Sequence, residues 1–320
     1  MAEAILNQPH FQDADKAREY LEALRWVNGV TCPHCGSIGA HYKLQGKATR
    51  PGVYKCVDCS DQFTVTVGTV FERSKIALNI WLQAVHLMCA SKKGISSKQL
   101  ERMLGVTYKT AWFMSHRIRE AMTTNAGGLL GGDGSTVEVD ETYWGNTHQS
   151  KIGKLVGTKQ GGHQKEKIVS MVERGGNVRS FHVETVSPST LKEVMEKNIH
   201  KDTQIHTDGH YAYRNSTKGF ASHEFVNHGA GEYVRDGVTT NSIEGFFSIF
   251  KRGLIGTFHH VGEQHLQRYC NEFDFRYNSR TKLGFNDVQR TDIALKGIEG
   301  KRLTYRRLSG QWAVQATALA

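Results

Sequence analysis

Apolar positions return at helical spacing in some stretches of this chain and at strand spacing in others, and the two kinds are segregated along it. Tyr20, Leu21, Leu24 and Trp26 predict a short amphipathic helix within residues 10–30. Ile76, Ile80, Trp81, Ala84, Val85 and Met88 predict another over 76–90. A third pattern runs from Ile95 to Leu104, breaks at Gly105-Val106, and resumes from Thr107 to Arg119. Thr107 suits an N-cap, so this stretch reads as a helix-turn-helix, with Tyr108, Lys109, Ser115, His116 or Arg119 presented by its second helix. Residues 126–134 are rich in glycine and read as a flexible linker.

Beyond the linker the period shortens. Thr136–Val139 predicts a strand ending at Asp140. Lys167–Val172 and Val178–Val183, separated by Glu173-Arg174-Gly175-Gly176-Asn177, predict a hairpin. Pro188 introduces a helix over 189–199, and Gln204–Thr207 is a strand ending at Asp208. A helix follows from Asn241, its cap, with Ile243, Phe246, Phe247 and Phe250 on the buried face. Leu266, Tyr269, Phe273 and Tyr277 give one more, and are read as core. Strand, hairpin, helix, strand and long helix is the order of a ribonuclease H-like α/β domain. Lys151–Lys167, basic and rich in glycine, is expected to form a mobile loop over a substrate.

Two C-x2-C pairs, Cys32/Cys35 and Cys56/Cys59, are separated by twenty intervening residues. Each pair sets two thiolates on one tight turn, and four soft ligands suit tetrahedral zinc. Such a centre has no open coordination position, so its role is structural or in docking DNA. Cys89 and Cys270 are isolated and read as small core residues. The fold class expected is therefore multidomain α+β. Its parts are a helix and zinc ribbon over 1–70, a helix-turn-helix over 71–125, a linker over 126–135, the ribonuclease H-like domain over 136–290, and a basic tail over 291–320. The formal charge of +10 over 320 residues favours a polyanionic partner, and no apolar run approaches the ~20 residues of a membrane span. With no basic-then-apolar leader either, the expectation is a cytoplasmic protein without disulfides.

Three acids stand where strands and a helix could bring them together: Asp140, Asp208 and Glu244, with 35 residues between the last two. Carboxylates on neighbouring strand ends and a nearby helix are what phosphodiester transfer by two Mg²⁺ (or Mn²⁺) ions requires. Lys251 lies seven residues after Glu244, two helical turns along the same face. Each acid also has an ordinary reading. Asp140 and Asp208-Gly209 fit turns, and Glu244 fits a capping box closing on the helix start.

Several blocks together carry a family resemblance: Val139-Asp140-Glu141-Thr142-Tyr143; Thr207-Asp208-Gly209 with Tyr211 and Tyr213; and Thr240 to Phe247 continuing through Lys251-Arg252-Gly253, Gly256 to His260, His265 to Tyr269, Glu272-Phe273 and Arg276-Tyr277-Asn278. From the ribbon to about residue 290 the chain resembles a DDE transposase of bacterial insertion sequences, in the branch with an N-terminal zinc ribbon. The resemblance implies metal-dependent cleavage of element ends and their joining to target DNA. Asp140, Asp208 and Glu244 would be the Mg²⁺ ligands, and Lys251 would contact DNA near the scissile phosphate. Some branches use Asn as third ligand, so Asn241 stands as an alternative to Glu244. Trp144 stands where relatives often carry a smaller residue. DNA contacts are expected at Lys109, Arg119, Lys251, Arg252, His259 and His260, the adjacent histidines being read as phosphate contacts rather than a metal pair. The basic tail, with Lys301-Arg302 and Arg306-Arg307, is either a solvated face or a phosphate contact. A homodimer or higher oligomer, working near the bacterial nucleoid, would hold two DNA ends. The rival readings are a non-catalytic DNA-binding regulator, an inactive copy, and a nuclease that cuts without joining.

Overall fold

The computed structural model describes residues 4–46, 48–123, 127–145 and 165–304. The chain divides into two compact units. The first comprises Met1–Val85, Ser97–Ala121 and Asp292–Ala320; the second comprises His86–Ser96 and Met122–Thr291.

In the first unit, α1 (Pro9–Gln12) leads into α2 (Ala14–Arg25). Asp13 starts α2 by accepting the N–H groups of Asp15 at 2.9 Å and Lys16 at 2.8 Å. Ala17 and Leu21 form its buried stripe. The small sheet β1 (His41–Lys43), β2 (Tyr54–Cys56) and β3 (Gln62–Phe63) is antiparallel in that order. Its apolar support is an aromatic cluster in which the Trp26 ring meets Tyr54 at 5.3 Å and Phe63 at 6.0 Å, both edge-on. Helix α3 (Leu78–Ala90) begins in this unit, and α4 (Ser97–Leu104) and α5 (Tyr108–Ala121) are the expected helix pair. Gly105 supplies the left-handed turn between them at φ +65°.

The structure revises which side chains α5 shows. Ser115, His116 and Arg119 are buried, and the Arg119 Nη1 donates to Ser115 Oγ at 3.0 Å. The reason is periodic: Ala111, Met114, Ser115, Ile118 and Arg119 share one face, and that face is the one turned to the core. Arg119 is therefore not presented to a groove. Tyr108 and Lys109, at the N-terminal corner, are exposed.

The second unit is built on a five-stranded sheet of order β6-β5-β4-β7-β8. β5 (Glu166–Glu173) pairs antiparallel with both β4 (Thr136–Trp144) and β6 (Val178–Val183), while β7 (Gln204–Asp208) and β8 (Ser222–Val226) continue parallel to β4. α6 (Pro188–Asn198) links the hairpin to β7, and α7 (Tyr213–Ser216) leads toward β8. α8 (Asn241–Gly253) and α9 (Leu266–Asn278) follow, and α10 (Asp287–Lys296) begins in this unit. Alternate residues of the strands feed two cores. Val137, Val139, Val169, Met171 and Ile205 pack with Leu191 and Met195 of α6, whereas Ile168, Val172 and Val178 pack with the phenylalanines of α8 and with Tyr269, Cys270 and Phe273 of α9. Cys89 and Cys270 are both buried, as expected of core residues. β8 leaves no mark in the hydrophobic pattern, because this edge strand is mostly polar and only Val226 is buried.

The glycine-rich segment before β4 is docked where it is described. Leu130 is buried, its N–H donates to Asn198 O at 2.8 Å, and its carbonyl accepts from His200 N at 2.9 Å. The basic loop expected over 151–167 falls mostly on residues 146–164, outside the described ones, as does the end of the tail from 305. Among the described residues no helix is long and apolar enough to cross a membrane.

Asp274 of α9 ties that helix to β6 by accepting the Ser180 N–H and hydroxyl, each at 2.7 Å. Burial pushes its carboxyl up to about 7 despite those donors. A raised carboxyl favours the fold in its neutral form, so its contribution is complete below the ordinary value near ~4 and is lost as pH rises to about 7. Denaturant unfolding of the wild type should therefore show stability falling across that window, by about 4 kcal/mol at most. Asp274→Asn, whatever its absolute stability, should lose that part of the slope.

Candidate active site

The parallel register pairs Glu138 with His206, and one step of two residues further brings Asp140 level with Asp208. Neighbouring strands lie roughly 4.8 Å apart, so these two carboxylates emerge side by side from one face of the sheet. Asp140 does not end its strand, as the sequence suggested. β4 runs on to Trp144, still paired with β5, and Asp140 sits just past the point where β7 leaves it. Asp208 is the last residue of β7. Burial drives the Asp140 carboxyl well above the usual range, and the charges of Asp208, Glu141 and Glu244 push it the same way. Glu244 of α8 is near enough for its charge to act on Asp140, while Asn241, on the first turn, is exposed. The capping-box reading of Glu244 does not hold: its Oε1 accepts from the Thr240 hydroxyl at 2.8 Å and lies 3.4 Å from His228 Nε2.

A fourth carboxylate, Glu141, points to the opposite face of β4 and accepts from the buried Tyr213 hydroxyl at 2.6 Å. Burial, then Asp208, raise its pKa, against that hydrogen bond and His210.

The helix that carries Glu244 is held by an acid that no sequence motif singles out. Glu138 is fully buried, and its Oε2 accepts the N–H groups of Ser242 at 2.8 Å and Ile243 at 3.0 Å. Its Oε1 accepts from Arg174 Nε at 2.9 Å and from the Ser242 hydroxyl at 3.1 Å. No side chain of α8's own N-cap residue, Thr240, caps it, so the carboxylate from β4 takes the place expected of Asn241. Arg174 extends the clamp: its Nη1 donates to Gly237 O, and its Nη2 to Thr239 O and to His206 Nδ1, each at 3.0 Å. Burial, then the Arg174 charge, lower the pKa of His206, in keeping with a neutral ring accepting at Nδ1.

In the first unit the Sγ atoms of Cys32, Cys35, Cys56 and Cys59 all lie within 4.8 Å of one another. Gly36, at φ +80°, makes the first knuckle, and its N–H donates to Cys32 O at 2.9 Å. Hydrogen bonds with Ser37 bring the Cys35 thiol down to about 6, toward the thiolate that a metal takes. Four soft donors at this spacing fit tetrahedral zinc. Cys35→Ser should reduce the zinc bound per chain to near zero, measured by elemental analysis of the purified protein; unchanged zinc would refute the ligand set.

Residues 12–62 match the transposase zinc-ribbon domain, and residues 129–278 match the ISXO2-like transposase domain. Two transposase models thus match successive stretches of this chain. The chain is also 28% identical over 282 residues to an uncharacterized protein of the transposable element ISH50 from Halobacterium salinarum, covering 83% of this chain and 91% of that one. The transposase domain so matched contains the three acids, Lys251 and the whole five-stranded sheet.

Around the acids of the matched transposase domain the basic residues are arranged unevenly. Lys251 and Arg252 are exposed at the end of α8, and the Arg252 guanidinium folds back onto Ser248 through its carbonyl at 3.0 Å and its hydroxyl at 2.8 Å. A π-helical turn, Leu254–Phe258, precedes the exposed pair His259 and His260. His259 takes φ +60°, ψ −49°, and the His260 N–H closes onto Phe258 O at 2.6 Å. That tight three-residue turn is a strained conformation for a side-chain-bearing residue. A signal for Glu138 is nonetheless present in the sequence: in Val137-Glu138-Val139-Asp140 the two acids alternate with valines, so they share a face. Arg174, in the hairpin, reads as an ordinary turn residue.

Proposed function

We propose that this transposase cleaves DNA at element ends and joins the freed 3′-hydroxyl to a target, with Asp140, Asp208 and Glu244 holding divalent cations. The observation that supports the reading is that Asp140 and Asp208 stand on neighbouring strands of the matched domain, the Asp140 carboxyl being raised by burial and then by the charges of Asp208, Glu141 and Glu244. Hard oxygen donors in a like-charged group suit Mg²⁺ or Mn²⁺. Bound there, the ions would lower the pKa of an attacking hydroxyl and neutralise charge on the phosphate and leaving oxygen. The strand order, antiparallel in β4–β6 and parallel from β4 to β8, supports a ribonuclease H-like domain.

The protein residues have separate tasks in this scheme. Glu138 and Arg174 hold α8 so that Glu244 faces the two aspartates. Thr240 orients the Glu244 carboxylate by its hydrogen bond. Lys251, on the same helix, Lys109 and the exposed histidine pair would meet the DNA backbone, whose charge the net +10 attracts. Nucleophilic water or a DNA hydroxyl attacks in line, so no tyrosine or serine becomes attached to DNA. Two ends must be held together, which favours a dimer or higher assembly.

The deciding experiment is a strand-transfer assay on a duplex bearing the element's ends, with Mg²⁺ and with chelator. Joined product that needs metal and disappears in Glu244→Gln is expected. Cut ends without joined product would mean a nuclease. Binding without cleavage in several divalent ions would mean a regulator or an inactive copy.

A further inference from the structure

Two large aromatic rings stand exposed on the segments that follow Asp208 and precede Glu244. Tyr211 is 68% exposed and Tyr233 58%. Each is one histidine away from a carboxylate. Asp208 Oδ1 accepts the His210 N–H at 3.1 Å, and the His210 ring lies 4.7 Å from Tyr211. Glu244 Oε1 is 3.4 Å from His228 Nε2, and the His228 ring is stacked on Tyr233 at 5.1 Å and 29°. The next aromatic along, Phe225 at 38% exposure, carries the Arg235 guanidinium over its ring at 5.8 Å.

We propose that these rings form a stacking platform for unpaired nucleobases on either side of the phosphodiester held by Asp140, Asp208 and Glu244. The proposal rests on the DNA-processing reading above and adds the state of the DNA that the site accepts. A base inside a duplex has both faces covered by its neighbours, so it has no face to offer a tyrosine ring; an unpaired base has. Tyr233 is steadied on one face by His228 and open on the other, which keeps the entropy lost on stacking small. Every base has a π-face, so such a platform tolerates any sequence, and Arg235 adds positive charge beside it. A transposase that grips melted DNA at the scissile position would favour ends that fray or are bent open.

Sequence tolerance lets the test use arbitrary DNA. The full-length, zinc-loaded protein is titrated, without added Mg²⁺, into a short duplex carrying a 2-aminopurine, either fully paired or with a mismatch bubble of a few nucleotides around the reporter. The bubble should bind about tenfold tighter or more, and the fluorescence of its reporter should be quenched on stacking. Tyr211→Ala and Tyr233→Ala should each weaken bubble binding about tenfold and leave paired binding unchanged. Tyr233→Phe should bind as wild type and Tyr233→Trp tighter, since both keep a ring. Equal affinity for the two DNAs would overturn the proposal, as would Phe variants that fail like Ala, which would assign the effect to the hydroxyl. Alanine variants that bind both DNAs normally but change oligomeric state on a sizing column would place the rings in an interface between copies, and overturn it too. A bubble preference without strand transfer would sink the catalytic reading alone; strand transfer without a bubble preference would sink this one alone.

Discussion

Asp208→Asn should lower metal-dependent strand cleavage by on the order of 10³-fold or more while leaving DNA binding in place. The substitution keeps the size of the side chain at the end of β7 and removes one negative charge from a group whose members already repel one another. Folding therefore loses little, and relief of the repulsion on Asp140 acts in its favour. Cation binding loses a charged oxygen ligand, and several kcal/mol of transition-state stabilisation go with the ions. Cleavage on end-labelled duplex, beside a gel-shift measurement of binding, separates the two effects. Cleavage at the wild-type rate would remove Asp208 from the metal site; lost binding would show that it serves DNA docking instead.

Glu138→Ala should destabilise the second unit by about 3 kcal/mol, the low end for breaking a buried ion pair because Arg174 keeps some contact with solvent. The cost has two sources. Arg174 loses its carboxylate, and the N–H groups of Ser242 and Ile243 lose their acceptor at the start of α8. For a unit of this size that is roughly a 6–12 °C fall in melting temperature, measured by calorimetry or circular dichroism. Glu138→Gln is the more telling variant. It keeps the volume but offers one acceptor oxygen where two are used, so it should cost less stability than Ala while still lowering cleavage. A stability unchanged in both variants would mean that the clamp is not what fixes α8.

Much of the candidate site is legible in the amino-acid sequence. Asp140, Asp208 and Glu244 stand out because strand and helix positions carry acids, and in the fold the charges of Asp208 and Glu244 act on Asp140. Arg119 shows where this kind of inference stops. It lies in the right helix and carries the right charge, but its face is buried. Periodicity reports which side of a helix is apolar; it does not report that a neighbouring element covers the polar residues beside that stripe. Leu130 makes the same point for the linker, where glycine content indicates freedom and two backbone hydrogen bonds to the end of α6 remove it.

By itself, the sequence determined what depends on spacing along the chain: paired cysteines on tight turns, the hairpin of β5 and β6, and the apolar stripes of α8 and α9. These are short-range consequences of backbone geometry, so neighbouring residues suffice to reveal them. Tertiary structure alone decided what depends on partners far apart. Glu138 meets α8 across more than a hundred residues, Asp140 stands beside Asp208 because β4 and β7 pair in one register, and β8 exists because β7 offers it an edge. A buried carboxylate and a polar edge strand are stable only when those distant groups supply hydrogen bonds, and no local pattern names the donor.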